Sequence, residues 1–588
     1  MRRLLVVSTL VLACAQADSV DPIDPQGPTA VLDDRRVHVN RPAPPPISGG
    51  TLVLAPNGVA IATDPDRDLV HVVDVAAKVE RFAIALLPGD EPGRATIDGE
   101  GLAHVVLRGA GAIATIDPTT GAIVGRAATC ANPRGIAFDG ANERLLIACA
   151  GGELAIHDGD GLVEQRTVAP DLRDVIVGRD GAIFITRFRD AEVLTLDEEL
   201  DVVDRELPRA LDERRPSTAW RTVGTPDGGW VMVHQDTTLV AIPLLASFPY
   251  YTSSSGCDGP VASRVTMHTS GDRLLSSSRL SFAPMAVDIA IAPAGLRVAI
   301  ANAGRDASAP TTFHGNDIYV VESRNLEPAE WGDCQWAPTV NVPDGQITAV
   351  AFASDEVLLA QSREPAALFA ISFPPGAAIE EIPLTGVTRR DTGHDLFHRD
   401  VGTGIACASC HPEGGDDGRV WHFDPDDVER RTISLRGGIA DTDPLHWAGE
   451  LENFDALVDE VMQRRMGGLE QTRDRMGAMK RWVEAIPPYR AERGADRVVL
   501  AGRDVYVRLG CDRCHDDAAL RAGATLEVEG EDLQAPSLRG VALHPRYMHD
   551  GRAGDLGEAL DDMIARTVPT VALADDERDA VIAYLESL

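Results

Sequence analysis

Residues 58–74 read GVAIATDPDRDLVHVVD: an apolar strand, a polar turn and a second apolar strand closed by an aspartate. Short apolar runs bounded by Asp and Pro are the signature of paired β-strands. The unit returns. AHVVL to ATID spans Ala103 to Asp117, RLLIACA to AIHD spans Arg144 to Asp158, and AIFITR to LTLD spans Ala182 to Asp197. Three looser copies follow: WVMVHQ to VAIP (Trp230 to Pro243), RVAIANA to IYVVES (Arg297 to Ser323) and EVLLAQ to LFAIS (Glu356 to Ser372). The closing aspartates Asp74, Asp117, Asp158 and Asp197 stand 43, 41 and 39 residues apart, the period of blades built from four short antiparallel strands. Their side chains suit turns, accepting bonds from the following amides. Each copy exposes an apolar face that only its neighbours cover, so seven copies predict a closed, all-β, seven-bladed propeller over residues 51–385. Thr51 to Leu54 is expected to complete the last blade, and Ser247 to Pro284 to be an insertion before the sixth. A β-sandwich, the alternative, requires no constant period.

The chain is longer than one ordinary domain. Its 588 residues carry 91 acidic and 55 basic side chains, a formal net charge of −36, and a multidomain organisation follows from the length. Such charge argues against nucleic acid or an anionic lipid surface as the main partner and favours a basic or neutral one. Ahead of the propeller, Arg2 and Arg3 precede the apolar run Leu4 to Leu12, and Val11-Leu12-Ala13-Cys14 has the form of a bacterial lipobox. Residues 1–14 therefore read as a lipoprotein signal peptide, an ordinary secretory signal being the alternative, with Cys14 anchoring the chain to the membrane by lipid alone. This predicts a periplasmic or cell-surface protein attached to the bacterial outer membrane. Residues 15–50, rich in Asp and Pro, read as an extended tether.

Eight further cysteines divide into two kinds. Cys130, Cys149, Cys257 and Cys334 are scattered, and in an oxidising compartment the simplest pairing by proximity joins 130 to 149 and 257 to 334, although sequence leaves the connectivity open. The other four form Cys407-Ala-Ser-Cys410-His411 and Cys511-Asp-Arg-Cys514-His515. Both are C-x-x-C-H, the pattern of c-type haem attachment: two thiols three positions apart can each add to one vinyl group of a porphyrin, and the adjacent imidazole reaches the iron. A Cys₄ zinc cage is the competitor; the export signal, the repeated His and the 104-residue separation stand against it. Around these motifs, strand alternation gives way to helical patterning. Asn453 can cap a helix whose inward face is Phe454, Leu457, Val458, Val461 and Met462, and Asp575 to Leu588 makes another with Val581, Ile582 and Leu585 inward. Two mainly α cytochrome c domains are expected, 386–490 and 491–588.

The propeller repeats resemble YVTN-type and lactonase-like propellers in pattern, over roughly residues 50–380, and carry no recognisable active site. Its expected role is a docking platform. Residues 391–588 resemble the bacterial di-haem cytochrome c peroxidase family, which includes the di-haem enzymes of methylamine utilisation, through GIACASCHPEGGDDG, RRTISLRG, PLHWAGE, APSLRGVALHPRYMHDG and LGEALDDM in the family's order. That resemblance implies two covalently bound haem c groups, with Met563 as the axial ligand of the second and Met548 as its rival. At the first haem it offers His422 and His446 as distal candidates, and it makes Trp447 the tryptophan between the haems. Arg436 and Arg539 would pair with propionates or with surface carboxylates. Two departures stand out. The family's calcium-holding Asn is replaced in Arg430-Arg431-Thr432-Ile433-Ser434, which makes calcium doubtful, and its distal glutamate has only Glu460 and Glu470 as counterparts. The expected function is a peroxidase-like oxidoreductase that reduces hydrogen peroxide with electrons from a redox partner protein through the Met-ligated haem. The alternative is an electron-transfer cytochrome with no peroxidase activity.

Overall fold

Starting at Leu52, the chain runs outward through one four-stranded sheet after another. The computed structural model describes residues 32–588 apart from 34, 160, 179–180, 244–256, 258, 272, 306–314, 327–333, 336, 374–377, 425–427, 492, 516–524, 529 and 545. The expected signal segment and Cys14 lie outside the described residues.

Blade one is Leu52–Leu54, Val59–Asp64, Leu69–Asp74 and Val79–Ala85, paired in that order. Blades two, three and four begin at Pro92, Pro133 and Leu172 and repeat the same antiparallel meander. Blades six and seven begin at Ala286 and Ile347. The innermost strands adjoin in succession and that of blade seven returns to that of blade one, so seven blades close the ring. The second and third strands of blade one are almost wholly buried, whereas its outermost strand alternates between exposed and covered residues; the hydrophobic faces therefore stack between blades while the rim meets water.

Closure differs from expectation. Residues 52–54 form the inner strand of their own blade, pairing with Ala60 to Ala62, and every blade is contiguous in sequence at its inner edge. Blade five also departs. Its third strand is Val261–Thr269, inside the segment expected to be an insertion, and Arg273–Ser276 pairs beyond it. Ile242–Pro243, expected as the return strand, leaves the blade and pairs in parallel with Phe423 and Asp424 of the helical region. Both expected disulfides are present, Cys130–Cys149 and Cys257–Cys334.

The remaining third of the chain is smaller and partly helical. Its helices are α1 (Thr392–His398), α2 (Cys407–Cys410), α3 (Phe454–Leu457, continuing as a π-helix over Val458–Arg465), α4 (Arg473–Glu484), α5 (Arg497–Leu509), α6 (Leu556–Thr567) and α7 (Asp575–Glu586). Side-chain caps start four of them: Asp391, Asn453, Asp496 and Asp555 each accept a backbone N–H of the first turn. Asn453 caps as expected, and Phe454, Val458 and Met462 are buried behind it. No helix among the described residues is long and apolar enough to cross a membrane.

The segment expected as a tether packs, over its described residues, against the rest of the fold, with Arg36, Val39, Arg41 and Pro42 exposed and most of 44–50 buried. Asp33 pairs with Arg399 and Arg475, Trp482 Nε1 donates to Pro44 O, and Ile47 N donates to His398 Nε2. Behind it, one apolar cluster joins propeller residues Trp220, Val265 and Ile289 to Phe397, Met462 and Trp482. Propeller and first helical half share a core.

Candidate functional site

The two C-x-x-C-H motifs adopt matching turns. In the first, α2 carries both thiols, and the His411 N–H closes on Cys407 O at 3.0 Å. In the second, Gly510 ends α5 at φ 79°, and the His515 N–H closes on Cys511 O at 2.9 Å. All four cysteines are unpaired thiols; burial pushes Cys407 up to about 12 and Cys511 up to about 11. Each histidine presents Nδ1 to a backbone carbonyl, His411 to Gly415 O at 3.2 Å and His515 to Pro536 O at 3.0 Å. With Nδ1–H donated, the lone pair that a metal takes lies on Nε2. Burial holds His411 down to about 4, so its imidazole is neutral at pH 7.

Behind each motif lies the same helix crossing. Gly393 and Phe397 of α1 face Ala478 and Trp482 of α4; Gly502 and Tyr506 of α5 face Ala580 and Tyr584 of α7. In both pairs a glycine admits the partner backbone, and an aromatic one turn later packs on an aromatic of the partner, with ring centroids 4.9 and 5.1 Å apart. The same crossing therefore recurs in the two halves, with an alanine also at the equivalent place in each pair, Ala478 and Ala580. Among the described residues no three His, Cys, Asp or Glu side chains gather as a metal set, and the two Cys pairs do not converge on the Cys₄ cage weighed against haem.

Trp447 sits where the halves meet. Its Nε1 donates to Arg431 O at 2.6 Å, its own carbonyl accepts from Gln534 N at 2.8 Å, and its ring lies edge-on to His549 at 6.3 Å. Gln534 is two residues from the carbonyl that holds His515. Arg431 continues toward the first motif, with its guanidinium 3.9 Å from Asp416.

The other expected site residues separate. His422 is exposed on the hairpin Val420–Asp424, paired with Glu429 at 2.6 Å. His446, at φ 70°, pairs with Glu450 at 2.7 Å and lies close enough to His411 for its charge to act there. Met563 is half-buried on α6, whereas Met548 and Cys511 both pack against the apolar cluster of the second half. Glu460 is engaged by Arg464 and Arg465, and Glu470 is exposed beside residue 32. Arg436 donates to Pro487 O and Glu413 O, and Arg539 contacts Gly437 O.

The sequence reading missed the seat of the first motif. Inner strands of blades two to five place Arg94, Arg134, Arg173 and Arg221 around the propeller axis, next to a β-bulge in each blade. Into this ring enters Glu413, two residues past His411. Its Oε1 receives Ser48 Oγ and lies 2.6 Å from Arg173 and 3.3 Å from Arg108. Asp416 meets Arg189 at 3.4 Å and His544 at 2.8 Å. Burial opposes both charges, and the surrounding cations reverse it, holding the two carboxyls far below the usual range.

No family model matches this chain, and no curated protein sequence matches it. Solved structures similar to it include Kuenenia stuttgartiensis hydrazine synthase (15% identity, TM-score 0.44, covering 56% of this chain and 96% of that one) and a virginiamycin B lyase from Staphylococcus aureus (13%, 0.39, 54% and 92%). A streptogramin B lyase is similar at 12% identity and TM-score 0.39, covering 54% and 92%. The propeller assignment rests on the strand order and ring closure, not on these likenesses.

Proposed function

We propose that residues 386–588 form a di-haem c-type cytochrome unit seated on the propeller, acting as a peroxidase-like oxidoreductase in the periplasm or at the cell surface. The observation that carries this reading is the repeat: two C-x-x-C-H turns with unpaired thiols, each histidine bonded through Nδ1 to a backbone carbonyl, each turn backed by a glycine–aromatic helix crossing. The residues fit the group. Cys407, Cys410 and His411 would hold one haem c, and Cys511, Cys514 and His515 the other, with Met563 or Met548 offering a thioether to the second. When bound, haem supplies the redox-active iron, whose potential its axial ligands tune. Peroxide reduction takes up two electrons and two protons and yields two waters.

This chain's own part is positional. Arg431 O takes the Trp447 indole N–H, and Gln534 N holds the Trp447 backbone carbonyl, between the halves. His446 pairs with Glu450 at 2.7 Å and is the acid–base pair the first site offers. His422, held outward by Glu429, contributes less. Electron transfer without peroxide chemistry is the second reading, and Glu460 favours it: Arg464 and Arg465 engage this counterpart of the family's acid–base glutamate, and Glu470, the other, lies exposed. The acidic surface suits a basic or neutral electron donor, and the resemblance to lipoproteins at Cys14 would keep the unit at a membrane.

A pyridine haemochrome assay on chain produced with c-type haem maturation tests the core of the proposal, two haems per chain being expected and none refuting it. Peroxide-dependent oxidation of a reduced donor separates the two readings.

A further inference from the structure

The loop that follows the first motif is held on both sides by the propeller. Gly415 O takes the His411 Nδ1–H at 3.2 Å, and that bond fixes the direction in which the imidazole points. Glu413 and Asp416 flank this carbonyl. Glu413 stands at φ 55°, a left-handed backbone that a β-carbon disfavours, and Gly414 follows at φ 74°. A non-glycine residue persists there only if its surroundings hold it, and they do: Arg173 at 2.6 Å, Arg108 at 3.3 Å and the Ser48 hydroxyl all converge on Glu413 Oε1. Arg189 Nε bonds the Asp416 carbonyl oxygen at 2.8 Å and its Nη1 is anchored on Asp171 at 2.8 Å. Arg173 is itself fixed, donating to Trp220 O and Ser48 O. Arg108, Arg173 and Arg189 come from blades two and four, while His544 and Arg431 of the helical region also meet Asp416 and Arg436 bonds the Glu413 carbonyl.

We propose that Arg173 and Arg189 of the propeller are positioning residues for the His411 imidazole, acting through Glu413 and Asp416 on the Gly415 carbonyl. The inference rests on His411 being a haem ligand, and it gives the propeller a role in the first redox centre beyond docking. Among the described residues the second centre shows no such tie: His515 is aimed by Pro536 O from its own half, and that centre serves as an internal reference.

The test compares full-length haem-loaded wild type with Arg173→Gln, Arg189→Gln and Arg173→Lys by electron paramagnetic resonance and redox titration, signals being assigned with a Cys511→Ser/Cys514→Ser chain. The expected result is loss of the wild-type ferric signal and a shifted midpoint at the first centre in both Gln variants, partial recovery in Arg173→Lys, and an unmoved second centre. If the Gln variants do not accumulate, Arg108→Gln, at the partly exposed edge of the same cluster, should shift the first centre alone. A role limited to stability would lower the unfolding temperature and leave both centres at wild-type values, overturning the proposal. Equal shifts at both centres also overturn it. Wild type without haem overturns the underlying reading, and shows this before any variant is compared.

Discussion

Gly502→Ala tests the helix crossing that defines the second half. In an exposed helix this change stabilises by about 1 kcal/mol, because Ala loses less backbone entropy. Here a methyl carbon on residue 502 would lie 1.8 Å from Ala580 O and 3.0 Å from Tyr584 Cβ. The first obstacle is backbone, so no rotamer change relieves it, and α5 and α7 must move apart by more than an ångström. A gap of ~0.5–1 Å already forfeits a quarter to a half of each dispersion contact. The crossing buries Val499, Tyr506, Val581 and Tyr584, so the cost lies in the upper part of the overpacking range and, after subtracting the propensity gain, is about 1–2 kcal/mol. Gly477→Ala in α4 is the control: its added carbon would meet only the Arg481 guanidinium at 3.4 Å, a flexible group, and the variant should be stabilised by about 0.5–1 kcal/mol. Amide exchange of α5 and α7, followed by mass spectrometry, reads the effect locally in a chain too large for two-state unfolding. Unchanged protection in Gly502→Ala, or faster exchange in Gly477→Ala, would refute the crossing.

Losing the Cys257–Cys334 bond, which closes 77 residues, should cost about 4–5 kcal/mol, and losing Cys130–Cys149, which closes 19, about 3 kcal/mol; urea midpoints of single Cys→Ser chains give the order, and the reverse order would contradict the loop-length account. Trp447→Phe leaves Arg431 O without its indole donor, an expected cost of about 1–2 kcal/mol, and under the proposed di-haem reading it should slow electron exchange between the two halves in stopped-flow reduction. His234, fully buried in blade five, is held down to about 3 by burial and then by Arg264. Below pH 6.5 the unfolded chain binds a proton that the fold refuses, so this site's stability is present at neutral pH and falls as pH drops, by about 3 kcal/mol at pH 4.5. Denaturant midpoints of His234→Gln should accordingly depend less on pH between 7 and 4.5 than those of wild type.

Six of the seven strand pairs were legible because each is an uninterrupted apolar run with a turn at its centre. The inner strands were not. Arg94, Arg134 and Arg173 interrupt them, and an arginine inside a short run reads as solvent-facing until its partner is known. Those partners are distant in sequence, Glu413 lying 240 residues from Arg173. Blade five misled for a related reason: Val261–Thr269 contains Arg264, Ser263 and Thr266, all buried, with Arg264 paired to Asp236 and Thr266 bonded to Ser276. The Pro-rich segment misled for the opposite one. Proline lacks an N–H, so burying Pro44-Pro45-Pro46 leaves mainly carbonyls to satisfy, and Pro44 O finds Trp482. At the site, the spacing of the Cys and His residues was enough to single out both motifs. The seat of the first motif depended on acidic residues in HPEGGDDG, which composition assigns to solvent and the fold assigns to buried counter-ions.

That seat makes the halves unequal, and the inequality can be tested by cutting the chain. Buried apolar residues of the second half, from Val499 to Leu585, pack on one another, and every member of that cluster comes from residues 499–588. The first half has no such closure. Leu396, Phe397, Met462 and Trp482 share their cluster with Val265, Met285 and Ile289 of the propeller, and Glu413 and Asp416 would lose Arg173, Arg108 and Arg189. A buried carboxylate deprived of its partner costs about 3–5 kcal/mol, comparable with the whole stability of a domain this small. Residues 491–588 alone should therefore show a cooperative thermal transition by circular dichroism, and residues 386–490 alone should show none. A sharp transition in the shorter-range first half would mean that the propeller supports it without completing it, and the account of a shared core would fail.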